Sequence, residues 1–419
     1  MNHFFKVNLI LTSTLLMAAS SYASSSSFVP NPAGNAMPCQ KDMNFNQWLN
    51  GLKKEALSQG ITEVTFENAR KYLIVDKKVL AMDSNQGVFQ QPFLKFSERM
   101  ASQARINKAR SLIQKDMKNI FDLAFQKYGV PAEVITAILA LESDFGVGVG
   151  KYSVLSATTT LAYDCRRTDM FRFQLMHALK LLQRGDLKAE EMMGNWAGEL
   201  GAGQFMPADY LTSGVDFNND GRIDLTRGLE DTIGAIGNYF IQHGWQRGQP
   251  WMIEVNLPKN AEHVIDWKNT DPEITLPLSQ WKLMGIKAVS GQKFPSEDYQ
   301  SSLVLPMGMN GPAFITFPNM NVFRQWNSSF VYSTTLAYTA NRIAGAKQVQ
   351  NGLAPVTPLT TEQVIQMQNH LLKLGFNIGK ADGKIGAATR VAVKQTQMKL
   401  QIPADGYPTS DYLEKMLRL

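Results

Sequence analysis

Apolar residues recur at three- and four-residue intervals through residues 44–246, and this spacing predicts that most of the segment is helical. The pattern changes across residues 251–318, where Pro and Gly recur and short β-prone runs at 251–255 and 302–305 predict a small sheet. A helical pattern returns at residues 330–346. The chain is therefore expected to be mainly α, with one β-containing region.

The same patterns predict how the chain divides. Residues 44–346 are expected to form the main domain, with a β subdomain at about 250–318, and residues 347–358 to form a linker. In residues 359–419 two Asp-Gly turns separate amphipathic stretches, which predicts a compact three-helix module. A chain of 419 residues is long enough to give both units a buried core.

The N-terminus has the features of an export signal. A charged segment precedes a short apolar stretch at residues 7–19, and the small residues at 21–23 suit cleavage by signal peptidase. A membrane anchor is the alternative, but polar residues interrupt a stretch already too short to cross a bilayer. We expect residues 1–23 to be a cleavable signal peptide, residues 24–43 to be a flexible leader, and the mature protein to be soluble.

Composition sets wider limits. The hydrophobic fraction of 44% and the charged fraction of 19% are typical of a globular protein. The net charge of +6 favours a polyanionic partner such as nucleic acid or the bacterial envelope, but the chain has no Lys/Arg tract typical of nucleic-acid binding. The two cysteines, Cys39 and Cys165, predict one long-range disulfide in an exported protein, and two separate buried thiols are the alternative.

Glu142 shares a helical face with apolar residues. Ile135 and Ile138 precede it by seven and four residues, and Pro131 suits the first position of this helix. A lone carboxyl group on a buried face tends to have a raised pKa, as a proton donor near neutral pH requires. The alternative is a Glu that turns outward or caps a neighbouring helix. Asp144, two residues on, would point to a different side and is expected to be structural.

A second candidate segment, residues 194–207, combines glycines, amides and aromatic rings. Glycine lets the backbone approach a ligand closely, and the amides of Asn195 and Gln204 suit hydroxyl and acetamido groups. Trp196 and Phe205 offer flat apolar faces. This mixture favours sugar recognition. A tight helix-packing junction is the alternative, but it would not account for the polar amides.

Residues 216–227 have the pattern of a calcium-binding loop. Oxygen-bearing side chains at the first, third, fifth and ninth positions, with glycine at the sixth, match the EF-hand type. The predicted ligands are Asp216, Asn218, Asp220, Arg222 (through its backbone carbonyl) and Asp224. The twelfth position should be a bidentate Glu but is Arg227, which cannot bind a cation. A metal-free loop held by Asx turns is therefore the alternative.

The ordered set of these motifs resembles the lytic murein transglycosylase B family. The matching residues are Gly129-Val130-Pro131 leading to Glu142 and Gly146, residues 195–198 and 203–207, the loop that begins at Asp216, and Asn238-Tyr239-Phe240. The similarity extends from about Phe45 to Gly345. It implies a lysozyme-like α+β catalytic domain with a small β subdomain.

The resemblance also implies a reaction. One Glu, here Glu142, protonates the β-1,4 glycosidic oxygen between N-acetylmuramic acid and N-acetylglucosamine, and its carboxylate then deprotonates the muramic C6 hydroxyl. That hydroxyl attacks C1, so the product is a 1,6-anhydro sugar and water is not the nucleophile. The second carboxylate that ordinary glycosidases use is not required, and neither is a cofactor. The family's loop can bind calcium.

By position, the resemblance implies further site residues. Those expected at the glycan are Gln204, Tyr239, Asn327, Tyr332 and Asn195, which replaces a serine common in the family. Arg166 and Arg167 resemble an arginine pair near the peptide stem, although they could equally be surface charges. The implied partners are peptidoglycan glycan strands and other cell-wall enzymes, not nucleic acid. The implied state is a periplasmic monomer.

The C-terminal module resembles the peptidoglycan-binding type 1 domain. The matching positions are Val364 through Gln368, Leu371, residues 374–376 and 382–386, Thr389, Ala392-Val393 and Asp405-Gly406. Thr396 stands where that family usually has an aromatic residue, which predicts a local change in packing or ligand contact. Such a tethered module raises the effective concentration of the catalytic domain at the polymer.

Two other hypotheses fit the same residues. A hydrolytic muramidase on this fold would use Asp144 or another carboxylate to position water. A non-catalytic wall-binding or scaffold protein would keep the fold and lose turnover. The products distinguish the three, because lytic cleavage leaves anhydromuramyl ends, hydrolysis leaves reducing ends, and a scaffold leaves the polymer intact.

Overall fold

A computed structural model describes residues 37–84, 91–270 and 272–419. The predicted signal peptide and most of the predicted leader lie outside the described residues. In the described part of the chain, eleven α-helices precede the main sheet: α1 Phe45–Ser58, α2 Glu63–Arg70, α3 Lys77–Ser84, α4 Phe93–Met100, α5 Gln103–Ser111, α6 Lys118–Tyr128, α7 Ala132–Ser143, α8 Val154–Tyr163, α9 Thr168–Arg184, α10 Pro207–Ser213 and α11 Glu230–Gln242. Within the described residues, none of the helices combines the length and hydropathy needed to cross a bilayer.

Seven further α-helices and seven strands complete the described residues. The helices are α12 Ala261–Val264, α13 Leu278–Leu283, α14 Met320–Trp326, α15 Phe330–Ile343, α16 Thr361–Lys373, α17 Ala387–Lys399 and α18 Ser410–Met416. The strands are β1 Tyr152–Ser153, β2 Met193–Gly194, β3 Met252–Asn256, β4 Leu276–Pro277, β5 Lys287–Ala288, β6 Gln300–Val304 and β7 Ala313–Thr316. The prediction of a mainly α fold with a small β subdomain is confirmed.

Helix α7 lies at the centre of the main domain. Helices α5, α6, α11 and α15 pack against it, and every residue from Val134 to Leu141 is buried. Burial is therefore all round the helix, not confined to the stripe that the spacing predicted. Pro131 has an extended ψ of 143° and lies just before the helix, so the helix begins one residue later than predicted.

The β subdomain is an antiparallel sheet with the strand order β4-β6-β7-β3-β5. Ile315 on β7 is opposite Ile253 on β3 and Leu303 on β6, so three buried aliphatic side chains share one face of the sheet. Trp281 of α13 is fully buried with them, and its indole N–H donates to the Ser301 carbonyl at 3.0 Å. The sheet thus has its own core beside the helical one.

The described end of the predicted leader is held against the main domain. Cys39 is joined to Cys165 by a disulfide, with the two Cα atoms 5.3 Å apart. The Gln40 amide donates to the Tyr163 carbonyl at 2.9 Å, and the Trp48 indole donates to the Pro38 carbonyl at 2.9 Å. Residues 37–43 are therefore ordered by these contacts, contrary to the expectation of a leader that is flexible up to residue 43.

The C-terminal module has a core formed by all three of its helices. Met367 and Leu371 of α16 pack with Val393 of α17 and Tyr412 of α18. Thr396 is fully buried, and its hydroxyl lies 2.5 Å from that of Tyr412. A pair of hydroxyl groups thus occupies the position where an aromatic ring was expected.

This module is docked on the β subdomain. The Arg390 guanidinium donates to the Leu305 carbonyl at 2.7 Å and lies over the Phe330 ring, 4.7 Å from its centroid. From the other side, Asp405 accepts the Met309 amide at 2.8 Å. These contacts fix the module by charge-assisted hydrogen bonds to backbone groups as well as by apolar packing.

The predicted linker is also anchored. The Gln350 amide donates to a carboxylate oxygen of Glu254 at 2.8 Å, and the Val349 amide donates to the Tyr338 hydroxyl at 3.2 Å. Further along, the Ala354 amide donates to a backbone carbonyl of the β subdomain at 3.1 Å. The segment at residues 347–358 therefore follows the surface of the main domain.

Candidate active site

Glu142 lies in the last turn of α7, where two side chains from the other end of the domain meet it. The Trp326 indole N–H and the Tyr332 hydroxyl both donate to its Oε1 atom, at 2.9 and 2.7 Å. No described residue donates to Oε2. The side chain therefore does not turn outward, and one oxygen is fixed while the other is left to meet a substrate.

The surroundings of Glu142 favour its protonated form. Burial raises its pKa, and the hydrogen bonds from Tyr332 and Trp326 lower it by less. Because the side chain is partly exposed but surrounded by protein atoms, it can be reached by a ligand and is still poorly hydrated. Burial and the nearby Glu142 charge raise the pKa of Tyr332 well above its usual value, so this phenol remains a donor.

The end of α7 is tied to the glycine-rich segment at residues 194–207. The Ser143 hydroxyl donates to the Ala202 carbonyl at 2.7 Å. Asp144 caps the helix in the left-handed region, with φ 52°, and forms an ion pair with Arg105 at 3.1 Å. This pairing agrees with the structural role expected of Asp144 and leaves it poorly suited to activate water.

Asn195 and Gln204 form one hydrogen-bonded unit within that segment. The Asn195 amide donates to the Gln204 side-chain oxygen at 3.0 Å, and the Gln204 amide donates to the Gly201 carbonyl at 2.8 Å. Gln204 has a positive φ of 50°, which few residues other than glycine adopt, and these bonds hold it there. Both side chains are buried, so their hydrogen bonds fix the shape of the segment.

Glu199 is the site carboxyl group that the sequence analysis missed. It lies between Gly198 and Gly201, both with positive φ, and accepts a short hydrogen bond from the Asn195 amide. Burial and the negative charge of Glu142 raise its pKa to about 8. The sequence did hold a clue, because Glu199 is the one acidic residue in a segment otherwise made of glycines, amides and apolar side chains.

Trp326, the other missed residue, is positioned by Tyr239. The two ring centroids are 4.9 Å apart in an edge-to-face arrangement, and Tyr239 also stacks on His243 at 3.7 Å. Tyr239 is only 1% exposed, and its hydroxyl donates to the Gln325 carbonyl at 3.2 Å. It therefore supports the indole from behind, whereas the sequence analysis expected it to contact the glycan.

Asn327 follows Trp326 directly. Its side-chain oxygen accepts the Ser329 amide at 2.9 Å, in the turn that leads into the helix carrying Tyr332. The side chain is 5% exposed. In this structure Asn327 thus fixes the connection between the two residues that donate to Glu142.

Arg166 and Arg167 meet a buried acid. Both guanidinium groups pair with Asp83, and Arg166 also pairs with Asp164 at 3.3 Å. The Arg167 guanidinium in addition lies 4.7 Å from the centroid of the Phe171 ring. The two arginines are therefore more than isolated surface charges, and a carboxylate of a peptide stem would have to share them with Asp83.

The predicted calcium loop is closed by its own groups. Asp216 accepts the backbone amides of Asp220 and Gly221, at 3.0 and 2.8 Å. Asp224, which should face the cation, instead accepts the Arg227 guanidinium at 2.8 Å. Among the described residues, no group of three or more His, Cys, Asp or Glu side chains is arranged to hold a metal ion. The residues as placed do not fit calcium.

Arg222 is also engaged away from the loop. Its guanidinium pairs with Glu191 at 2.6 Å, and Arg227 pairs with the same carboxylate at 3.1 Å. Two arginines thus connect Asp224 to Glu191, which lies just before β2. The loop is held by guanidinium groups at the place where a calcium-binding loop would use the metal charge.

Comparison with known families agrees with both parts of the chain. The model of the transglycosylase SLT domain matches residues 44–341, and that of the putative peptidoglycan-binding domain matches residues 360–416. Membrane-bound lytic murein transglycosylase B of Escherichia coli (strain K12) is 37% identical over 230 residues. That alignment covers 54% of this chain and 60% of the relative, which is less than two thirds of its length.

Solved structures extend the similarity. SltB3 from Pseudomonas aeruginosa, in complex with NAG-anhNAM-pentapeptide, has a TM-score of 0.81 and 33% identity, over 90% of this chain and 100% of that one. The Escherichia coli lytic transglycosylase Slt35, in complex with calcium, has a TM-score of 0.60 and 25% identity, over 75% of this chain and 98% of that one. Because the family match covers more than half of the sequence and the SltB3 match covers most of the fold, this chain belongs to the transglycosylase SLT domain family.

Proposed function

We propose that this protein is a lytic transglycosylase that cleaves the β-1,4 bond between N-acetylmuramic acid and N-acetylglucosamine in peptidoglycan. The observation that carries the proposal is the environment of Glu142. Its Oε1 atom accepts two hydrogen bonds, its Oε2 atom accepts none from the described residues, and burial raises its pKa. A proton held on Oε2 is thus available to a glycosidic oxygen.

In the first half of the reaction, Glu142 transfers the Oε2 proton to the glycosidic oxygen, and the bond between that oxygen and C1 breaks. The resulting carboxylate is stabilised by the two donors on Oε1, Trp326 and Tyr332. In the second half, the Glu142 carboxylate takes the proton of the muramic C6 hydroxyl while the oxygen of that hydroxyl forms a bond to C1. Glu142 regains its proton, and no water is consumed.

The other carboxyl groups near the site support this route over hydrolysis. A hydrolytic enzyme needs a second, ionised carboxylate to activate water or to form a covalent intermediate. Asp144 is paired with Arg105, and the pKa of Glu199 is raised to about 8, so Glu199 is mostly neutral at pH 7. A nucleophile within the substrate removes the need for such a base.

The remaining assignments belong to the same proposal. Gln204 and Asn327 are proposed to hold the glycan, Asn195 to support that site through its bonds to Glu199 and Gln204, and Arg166 and Arg167 to lie near the peptide stem. The partners are peptidoglycan strands and other cell-wall enzymes, and SltB3 in complex with a peptidoglycan fragment supports the first of these. The signal peptide expected at residues 1–23 would deliver a monomeric enzyme to the periplasm, where that polymer lies.

Chemistry in this family requires no cofactor. The calcium complex of Slt35 shows that one relative binds this ion. For the present chain we propose that the reaction proceeds without metal, because Glu142 alone can give and then take up the proton that the proposed route requires.

The test is product analysis by mass spectrometry after incubation with purified sacculi. We expect fragments that end in 1,6-anhydromuramic acid, and fragments with reducing ends would instead show hydrolysis. Glu142→Gln should release nothing and still sediment with sacculi. Glu133→Gln, at the opposite end of α7, is the matched control and should cleave normally. Unchanged cleavage by Glu142→Gln would overturn the assignment.

A further inference from the structure

The site contains a second carboxyl group with no assigned task. Glu199 is 9% exposed, and its Oε2 atom accepts a hydrogen bond from the Asn195 amide. No described residue donates to its other oxygen, and it forms no ion pair with any described residue. A buried acid without a cationic partner is costly to ionise, and such a group beside a catalytic acid is a candidate for contact with the ligand.

The charged groups around Glu199 come from several elements. Glu142 on α7 and Asp209 on α10 oppose a negative charge on it, whereas Arg167 beside α9 favours one. Arg167 is already paired with Asp83. The charges of Glu199 and Glu142 both raise the pKa of Tyr332 on α15. Burial and the negative charges of Glu142 and Asp209 therefore favour the protonated form of Glu199 when Glu142 is ionised.

We propose that Glu199 is a positioning acid of this site, which stays protonated through the reaction and donates a hydrogen bond to an oxygen of the sugar bound beside Glu142. The proposal rests on the transglycosylase function above, because it takes the glycan as the ligand. The acceptor is a carbonyl or hydroxyl oxygen, such as that of an acetamido group. No bond to Glu199 is made or broken, so it holds the sugar without taking part in the chemistry.

The hydrogen bonds of Asn195 explain why the proton of Glu199 lies on the carboxyl oxygen that Asn195 does not contact. Asn195 gives one amide hydrogen bond to Glu199 and one to Gln204, and its own oxygen accepts the backbone amides of Ala197 and Glu199. The Asn195 amide group thus fixes Oε2 of Glu199 as an acceptor. The proton of the neutral acid must then lie on Oε1, the oxygen that no described residue occupies.

The experiment is binding of the peptide-free disaccharide N-acetylglucosaminyl-1,6-anhydro-N-acetylmuramic acid, measured by calorimetry from pH 6 to pH 10. A ligand without peptide removes the carboxylates of the stem from the measurement. For the unaltered protein we expect the dissociation constant to rise about tenfold per pH unit above about pH 8, as Glu199 ionises and stops donating.

Glu199→Gln keeps the shape of the side chain but removes its ability to titrate. Glutamine can still accept from Asn195 and its amide still donates into the site, but it does not titrate. This variant should bind within about threefold of the unaltered protein at pH 7 and lack the weakening near pH 8. Glu199→Ala removes the donor, and its affinity at pH 7 should fall at least tenfold.

Glu254→Gln is the matched control, since Glu254 is another buried carboxyl group with a raised pKa, placed in the β subdomain against the linker. Disaccharide binding by Glu254→Gln should still weaken near pH 8. The proposal is overturned if Glu199→Gln and the unaltered protein share the same pH dependence, or if Glu199→Ala binds normally at pH 7. The two proposals can fail separately, because binding needs no turnover. If the unaltered protein forms anhydro products but its disaccharide binding does not weaken near pH 8, the transglycosylase function stands and only the role of Glu199 is rejected.

Discussion

Two acidic regions of this molecule hold their carboxyl groups in opposite ways. In the site around Glu142, neither Glu142 nor Glu199 forms an ion pair with a described residue, and burial raises the pKa of both. In the loop at residues 216–227, the acids accept backbone amides and guanidinium groups. The contrast teaches that residue type alone does not decide whether an acid supplies protons or builds structure. Burial without a cationic partner does in the site, and guanidinium and backbone donors at the surface do in the loop.

The most direct way to break the comparison is to remove the acid from the site. Glu142→Gln keeps the size of the side chain and its acceptor for Trp326 and Tyr332 but cannot give up a proton. We expect the rate of anhydromuramyl product formation to fall by at least about 1,000-fold. Thermal unfolding should change little, which excludes misfolding as the cause.

A smaller effect is expected when one donor to Glu142 is removed. Tyr332→Phe deletes a hydrogen bond that lowers the pKa of Glu142, so the pKa should rise and the fall in activity at alkaline pH should begin at a higher pH. Loss of a bond to a charged group costs about 1.5–3 kcal/mol, which corresponds to a rate about 10- to 100-fold lower. The measurement is the pH profile of product formation.

Tyr338→Phe is the control for that experiment. Tyr338 lies on the same helix, α15, and its hydroxyl accepts the Val349 amide, away from Glu142. This variant should leave the alkaline side of the profile where it is. A Tyr332→Phe profile that moves toward lower pH would contradict the direction of the pKa shift.

The buried carboxyl group of Glu199 should also make the unfolding free energy of the protein depend on pH. The pKa of Glu199 is raised from 4.5 to about 8, so the folded protein binds an extra proton between these values and loses stability as the pH rises through them. Glu199→Gln cannot titrate and should remove this loss. We expect its unfolding free energy to drop less between pH 5 and pH 9, by about 2 kcal/mol, in denaturant titrations. An equal drop in both proteins would contradict the buried acid.

The smallest effects should come from the loop. Arg227 is exposed in its ion pairs, so Arg227→Ala should change the stability of the fold very little. A chelator or added calcium should not shift the melting temperature of the unaltered protein. Arg227→Glu supplies the missing bidentate ligand and should make the melting temperature rise with calcium. A calcium-dependent shift in the unaltered protein would show that the arginines do not replace the metal.

Some of this organisation could be predicted from the sequence. The spacing of apolar residues identified the helical segments, the β-prone runs marked β3 and β6, and the position of Glu142 among apolar residues indicated a carboxyl group in a buried setting. These features depend on residues close in sequence, so the spacing of apolar residues is enough to predict them.

Other features depend on contacts between distant segments. Trp326 reaches Glu142 across 184 residues of sequence, and Asp83 pairs with Arg167 across 84. Tyr239 was expected at the glycan, but folding places it behind Trp326. Glu199 stood inside a segment already singled out, yet its missing counter-ion could be seen only once the surrounding side chains were in place.

The docked C-terminal module differs from a module on a flexible tether in a way that bears on the proposed function. A flexible tether would let the catalytic site sample any bond within reach of the anchor. Here Arg390, Asp405 and the bonded segment at residues 347–358 hold the two units in one orientation. Under the proposed function, the distance between a sugar bound by the module and the bond cleaved at Glu142 is then fixed, so cuts should fall at a set spacing from each point of attachment.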